Sequence, residues 1–191
     1  IFALTAVGEK LENLLSKIIP KPNKDVLYDE FNQLAMEAEP GAGETFINLL
    51  NQTEIEYEEV ALSSSPQNVC RALMEGIVFQ TSQRVKRVAE LTGTNTGKLI
   101  FTGGPTKSKI WSTILADVLN REISIPVNGE YAGAMGAVNL GGIGCGIYED
   151  EQSGFEMLKQ EARVIAPDAG RSKKYEEIQT RFFEQTIKLS N

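Results

Sequence analysis

Histidine is absent from this sequence. That excludes Ser-His-Asp and Cys-His catalysis within the chain. It also removes the commonest zinc ligand, and two cysteines, Cys70 and Cys145, cannot make a structural zinc site alone. Cysteines this few and this far apart fit a reduced intracellular protein with two buried thiols, so a cytoplasmic location is expected. Basic residues are the minority, with 19 Lys and Arg against 26 Asp and Glu and a formal net charge of −7. A nucleic-acid or anionic-membrane surface would want the opposite balance. No apolar run approaches the roughly 20 residues of a membrane helix. Ile1 to Leu4 is too short for a signal peptide and lacks a basic leader. Chemistry here must use carboxylates, hydroxyls, lysines, backbone groups or a ligand-borne metal.

The remaining composition, 41% hydrophobic and 24% charged over 191 residues, suits one domain with an ordinary core. The first residue is Ile1, not Met, and the expectation is a piece of something longer. IFAL (1–4) reads as a strand end. Helical spacing covers 8–19, stopped by Pro20-Lys21-Pro22, and again 25–38. Pro40-Gly41-Ala42-Gly43 is a turn, and TFINLL (45–50) is a strand candidate. Residues 51–65 are acidic and polar, and read as a solvated loop or edge. Ser65 as N-cap and Pro66 at the first helical position open a long helix, with Gly93 as its C-cap. LIFT (99–102) reads as a buried strand, 107–119 as a helix and 122–127 as a strand. A small-residue helix follows over 131–140, broken at 141–146. Helices near 151–163 and 171–189 complete the chain. Strands alternating with helices from residue 65 onward imply an α/β layer structure with parallel pairing.

The stretch KLIFTGGPTKSKIWSTILAD (98–117) sets a strand against Gly103-Gly104-Pro105 and then a helix. In open α/β sheets, ligands bind beyond the C-terminal strand ends, where a helix dipole and bare N–H groups favour anions. Spacing alone also fits a plain turn, which is the commoner case. Thr106 before Lys107-Ser108 excludes a Walker A loop, and the missing third glycine excludes a Rossmann fingerprint. GEYAGAMGAVNLGGIGCG (129–146) is a second glycine-rich junction. It fits either tight packing or the close approach of a flat ring. One strand separates the two junctions, so both would open at the same sheet edge. Lys107 and Lys109 read as solvated first-turn lysines, and Trp111 as core.

Three ordered stretches, ALMEGIVFQTSQRVKRVAELTG (72–93), residues 98–127 and EYAGAMGAVNLGGIGCGIYED (130–150), resemble the C-terminal domain of FGGY carbohydrate kinases. The recognisable core spans 65–150 within a domain of 1–191. The resemblance implies an actin-like (ribonuclease H-like) ATPase domain of the α/β class, the C-terminal half of a two-domain sugar kinase. It implies ATP or ADP in the cleft, magnesium carried on the nucleotide, and transfer of the γ-phosphoryl group to a sugar or polyol hydroxyl. Its own N-terminal domain would be a partner, and a homodimer is left open. Gly103 and Gly104 match glycines lying against the phosphates and ribose. Ser108 matches a position bordering the adenine, and Ala134 and Met135 a pair near the far side of the base.

Pro105, grouped with these nucleotide contacts, stands where the family usually has glycine or alanine, which removes one donor. NQTEIEYEE replaces the family's G-E-R-x-P stretch, and the early glycine-threonine phosphate loop is not recognisable. The resemblance places the aspartate base and most sugar contacts in the N-terminal domain. No catalytic residue and no metal ligand is therefore assigned here. A pentulose or gluconate kinase is the first expectation for substrate, and an autoinducer-2-type kinase the second. An actin-like ATPase-fold protein without sugar kinase activity is the alternative function.

Overall fold

The computed structural model describes residues 7–19, 26–93, 99–158 and 161–188. The expected strand end at 1–4 and the stop at 20–22 lie outside these. Helices α1 (Val7–Ile18) and α2 (Leu27–Glu37) follow the predicted apolar spacing, burying Leu11, Leu14 and Leu15 on one and Leu27, Phe31 and Ala35 on the other. The strand candidate at 45–50 forms no strand, although residues 45–49 are buried. Their backbone is satisfied by side chains instead. Asn48 N donates to Gln52 Oε1 at 2.6 Å, Leu50 and Asn51 N–H groups donate to Asn48 Oδ1, and Lys10 Nζ donates to the Leu49 carbonyl. An apolar run fixes burial, not a ladder partner.

Residues 51–65 also differ from the expected loop. Helix α3 (Glu54–Leu62) starts with a capping box in which Thr53 and Glu56 satisfy each other's backbone N–H groups. The Thr-x-x-Glu signal was present in the sequence, masked by four glutamates. Helix α4 (Pro66–Thr92) begins and ends as predicted, with Ser65 accepting from Asn68 N and Gly93 left-handed at φ 64°. Residues 69–76 are buried on every side, including Arg71 and Glu75.

Two residues there explain the local sequence. A Cβ on Gly76 would sit 2.1 Å from the Ile47 carbonyl oxygen, so glycine lets the 45–49 segment touch the helix. Glu75 accepts from Gly41 N at 3.2 Å, Tyr175 OH at 2.8 Å and Arg71 Nε at 2.7 Å. Arg71 also reaches the Ala35 and Ala38 carbonyls and the Tyr175 hydroxyl. Burial pushes the Glu75 carboxyl up, while Arg71, Tyr175 and the Gly41 N–H pull it down.

Strand β1 (Leu99–Ile100) leads to helix α5 (Lys109–Leu119), strand β2 (Ile123–Pro126) and helix α6 (Ala132–Gly144). β1 and β2 pair in parallel as predicted, Leu99 opposite Ile123. Helix α6 runs past Gly141 because Gly142 is a packing glycine, its missing Cβ replaced by the Tyr148 ring. Helix α7 (Glu151–Leu158) stops short of the expected end. Strand β3 (Ala162–Ile165) follows and pairs antiparallel with β2, giving the order β1-β2-β3. Three of its four residues are exposed, so no apolar alternation announces it. Helix α8 (Ala169–Lys188) closes the described chain and packs Tyr175, Ile178 and Phe182 into the core. Phe79 meets Tyr175 and Phe182 edge-on or tilted, at centroid distances of 6.0 and 5.1 Å. Among the described residues no helix is long and apolar enough to cross a membrane.

Candidate functional site

Both glycine-rich junctions open at the C-terminal edge of the parallel pair. Phe101 N continues the β1–β2 pairing by donating to the Ser124 carbonyl at 2.9 Å. The chain then turns at Gly103, at φ 94° and ψ 179°, a region that only glycine occupies readily. Gly103 N donates to the Gly129 carbonyl at 2.9 Å, tying the first junction to the second. One 3₁₀ turn (Gly104–Lys107) leads into α5.

Gly103 and Gly104 are glycine for different reasons. Gly103 is required by its backbone conformation. Gly104 has no positive φ, and a Cβ there would meet nothing within 4 Å. Neither packing nor conformation requires glycine at 104, and among the described residues its N–H has no hydrogen-bond partner. Pro105 sits in the first turn of the 3₁₀ segment, where a missing N–H costs the fold nothing, and its carbonyl accepts from Ser108 N at 3.0 Å.

Ser108 is 6% exposed and caps α5. Its Oγ accepts from Trp111 N at 3.1 Å and donates to Asn32 Oδ1 at 2.6 Å. Trp111 is core, edge-on to Phe31 at 6.1 Å. Lys107 is exposed, with Nζ 5.7 Å from the Tyr131 ring centroid, within cation–π range. Arg163 of β3 donates from its guanidinium to the Thr106 carbonyl. A cleft of about 250 Å³ lies beside the turn, lined by Thr106, Lys107, Ile125, Pro126, Glu130 and Arg163 among others.

On α6, Ala134 is exposed and Met135 half-buried. Gly133 and Gly136 face open space, where a Cβ would meet nothing within 4 Å among the described residues. A glycine inside a helix costs about 1 kcal/mol against alanine, and no packing within the described residues asks for these two. Asp117 lies away from the cleft's lining. It is 1% exposed and accepts from Asp168 N at 2.8 Å and Arg171 Nε at 2.6 Å, joining α5 to α8.

Gly129 opens the second glycine-rich junction read from the sequence; Asn32 and Arg163 also touch the turn and were not singled out by the sequence. Asn32 reads as an ordinary polar position of α2, and Arg163 lies in the strand that periodicity missed. Among the described residues, no group of three His, Cys, Asp or Glu side chains could hold a metal ion.

A family model, the FGGY family of carbohydrate kinases, C-terminal domain, matches residues 10–145. An autoinducer-2 kinase of Yersinia pestis (strain Pestoides F) is 33% identical over 110 residues, covering 58% of this chain and 21% of that protein. The xylulose kinase from Rhodospirillum rubrum superposes with a TM-score of 0.68 at 21% identity, over 95% of this chain and 38% of that one. A Plasmodium falciparum glycerol kinase with ADP gives 0.64 at 21% identity, over 95% of this chain and 37% of that one. The chain thus spans about a fifth of the curated relatives it matches. The structural likeness establishes the fold, the actin-like ATPase domain expected from the motifs.

Proposed function

The chain belongs to the FGGY family of carbohydrate kinases, matching its C-terminal domain, and from that premise we propose that it is the nucleotide-binding half of an ATP-dependent carbohydrate kinase. The observation that carries this reading is Gly104. Among the described residues it is a glycine the fold does not need, at the C-terminal end of a parallel strand, with an N–H turned to no protein partner. Such a position suits a backbone donor that a phosphate or ribose oxygen approaches closely.

In this reading Gly103 and Gly104 form the cradle. Pro105 stiffens it without a donor. Ser108 shapes the base-side edge through the cap rather than by a free hydroxyl, since its proton is given to Asn32. Ala134 and Met135, with the open backbone at Gly133 and Gly136, would form the far wall for the base. The ADP named with the glycerol kinase supports a nucleotide at this fold's site. Magnesium would arrive on the phosphates and neutralise charge there.

Phosphoryl transfer is mainly positioning and charge stabilisation. The bond between the γ-phosphorus and the bridging oxygen breaks, a bond to the sugar oxygen forms, and the hydroxyl proton leaves to a base. That base belongs to the N-terminal domain in this reading. The 33% identity with autoinducer-2 kinases, together with the absent G-E-R-x-P, favours an autoinducer-2-type substrate over a pentulose or gluconate. A panel of these substrates assayed with the full-length protein, ATP and magnesium tests the assignment. Turnover of none of them, with no ATP-dependent rise in melting temperature, would favour an actin-like ATPase-fold protein without sugar kinase activity.

A further inference from the structure

The Gly103–Ser108 turn is a short loop whose backbone must hold its shape before a ligand arrives. Glycine at 103 and 104 makes it pliable, so something else must fix it. Three tethers from outside the turn do so. Gly129 accepts from Gly103 N at its start. Arg163, from β3, donates to the Thr106 carbonyl at its middle. Asn32, from α2, accepts the Ser108 hydroxyl proton at its end. The first is a backbone bond. The other two are side chains on elements remote in sequence, and neither belongs to the glycine motifs.

We infer that Asn32 and Arg163 are positioning residues of the nucleotide cradle, setting the affinity for ATP by holding the turn from both sides. This rests on the proposed nucleotide site. Asn32 acts through Ser108. The hydroxyl that caps Trp111 N keeps its orientation because its proton has a fixed acceptor. Losing that acceptor frees the hydroxyl to rotate and loosens the last residue of the turn. Arg163 acts through Thr106, whose own N–H and hydroxyl both return to the Gly103 carbonyl at 3.0 and 2.6 Å. Pulling on Thr106 therefore fixes Gly103 and, between them, Gly104. Arg163 also brings a guanidinium to the cleft that Lys107 shares.

The test uses the full-length protein, with kcat, KM for ATP, KM for sugar and melting temperature measured for each variant. Asn32→Ala and Arg163→Ala are expected to raise KM for ATP by roughly 3- to 10-fold, the range of one lost hydrogen bond. KM for the sugar should stay within about twofold, inside the effect of one weak contact. Asn32→Asp keeps the acceptor and Arg163→Lys keeps a cationic donor, so each should recover most of the ATP affinity. A merely structural role would lower the melting temperature and leave KM for ATP unchanged, and that result overturns the inference. Equal rises in both KM values would overturn it too. A wild-type protein that binds no ATP would instead defeat the proposed function.

Discussion

The N–H of Gly103 donates to the carbonyl of Gly129 at 2.9 Å. This bond is the reason two motifs 26 positions apart in the chain form one edge. It also separates the roles of the adjacent glycines. Gly103 is held in a conformation that other residues adopt only under strain, and Gly104 is not.

Gly104→Ala should therefore fold normally. Its Cβ enters open space and the substitution removes unfolded-state freedom, so stability should be unchanged or higher by about 0.4–1 kcal/mol. ATP affinity should fall, because that Cβ occupies the approach to the N–H. Gly103→Ala should lose about 1–3 kcal/mol through backbone strain. Urea melts paired with calorimetric ATP titration of both variants check this. A stable Gly104→Ala protein with undiminished ATP affinity would remove the central support for the cradle.

Glu75 is the second hub. It gathers Gly41 N, Arg71 and Tyr175 from three parts of the chain at a buried position. Glu75→Ala leaves the Arg71 guanidinium buried without its carboxylate, which should cost about 3–5 kcal/mol. Glu75→Leu combined with Arg71→Met should cost less than Glu75→Ala alone, because no charge is stranded. Chemical denaturation of the three proteins decides between these outcomes.

The features legible in sequence were those with local causes. Ser65, Pro66 and Gly93 bound α4 through caps, and the β1–turn–α5 unit follows from an apolar run meeting Gly103-Gly104. The parallel β1–β2 pair and the shared edge came from alternation of elements. What escaped has non-local causes. Residues 45–49 are buried, but Asn48 and Gln52 take the hydrogen bonds that a strand would have made. β3 exists because β2 has a free edge, and its exposed face carries no pattern of its own. Asn32 and Arg163 reach the turn across 76 and 57 positions, a distance over which no spacing rule operates.

Cys70 and Cys145 should differ sharply toward thiol reagents. Burial within α4 pushes the Cys70 thiol up to about 12, so it stays protonated and inaccessible at neutral pH. Cys145 is exposed at the end of α6. Native protein treated with iodoacetamide near pH 8 should gain one adduct at Cys145, and a second at Cys70 only in denaturant. Peptide mass spectrometry showing Cys70 alkylated first would contradict the buried helix.

The start of α8 should be acid-sensitive. The Arg171 N–H donates to Asp168 Oδ1 at 2.8 Å, and this bond, with the Arg171 charge, holds the Asp168 carboxyl below its ordinary value of 3.8. The sign follows from linkage. A carboxylate favoured in the folded state adds stability that is present above the unfolded value and is lost as pH falls through the lower folded one. Asp168→Ala should therefore melt below wild type at neutral pH, and the gap should narrow as pH drops beneath 3.8. Replacing the cap leaves Asp117 to hold Arg171 alone through its side chain. Melting curves of both proteins from pH 7 downward read the difference directly, and a gap that widened in acid would show that the Asp168 cap does not work through its charge.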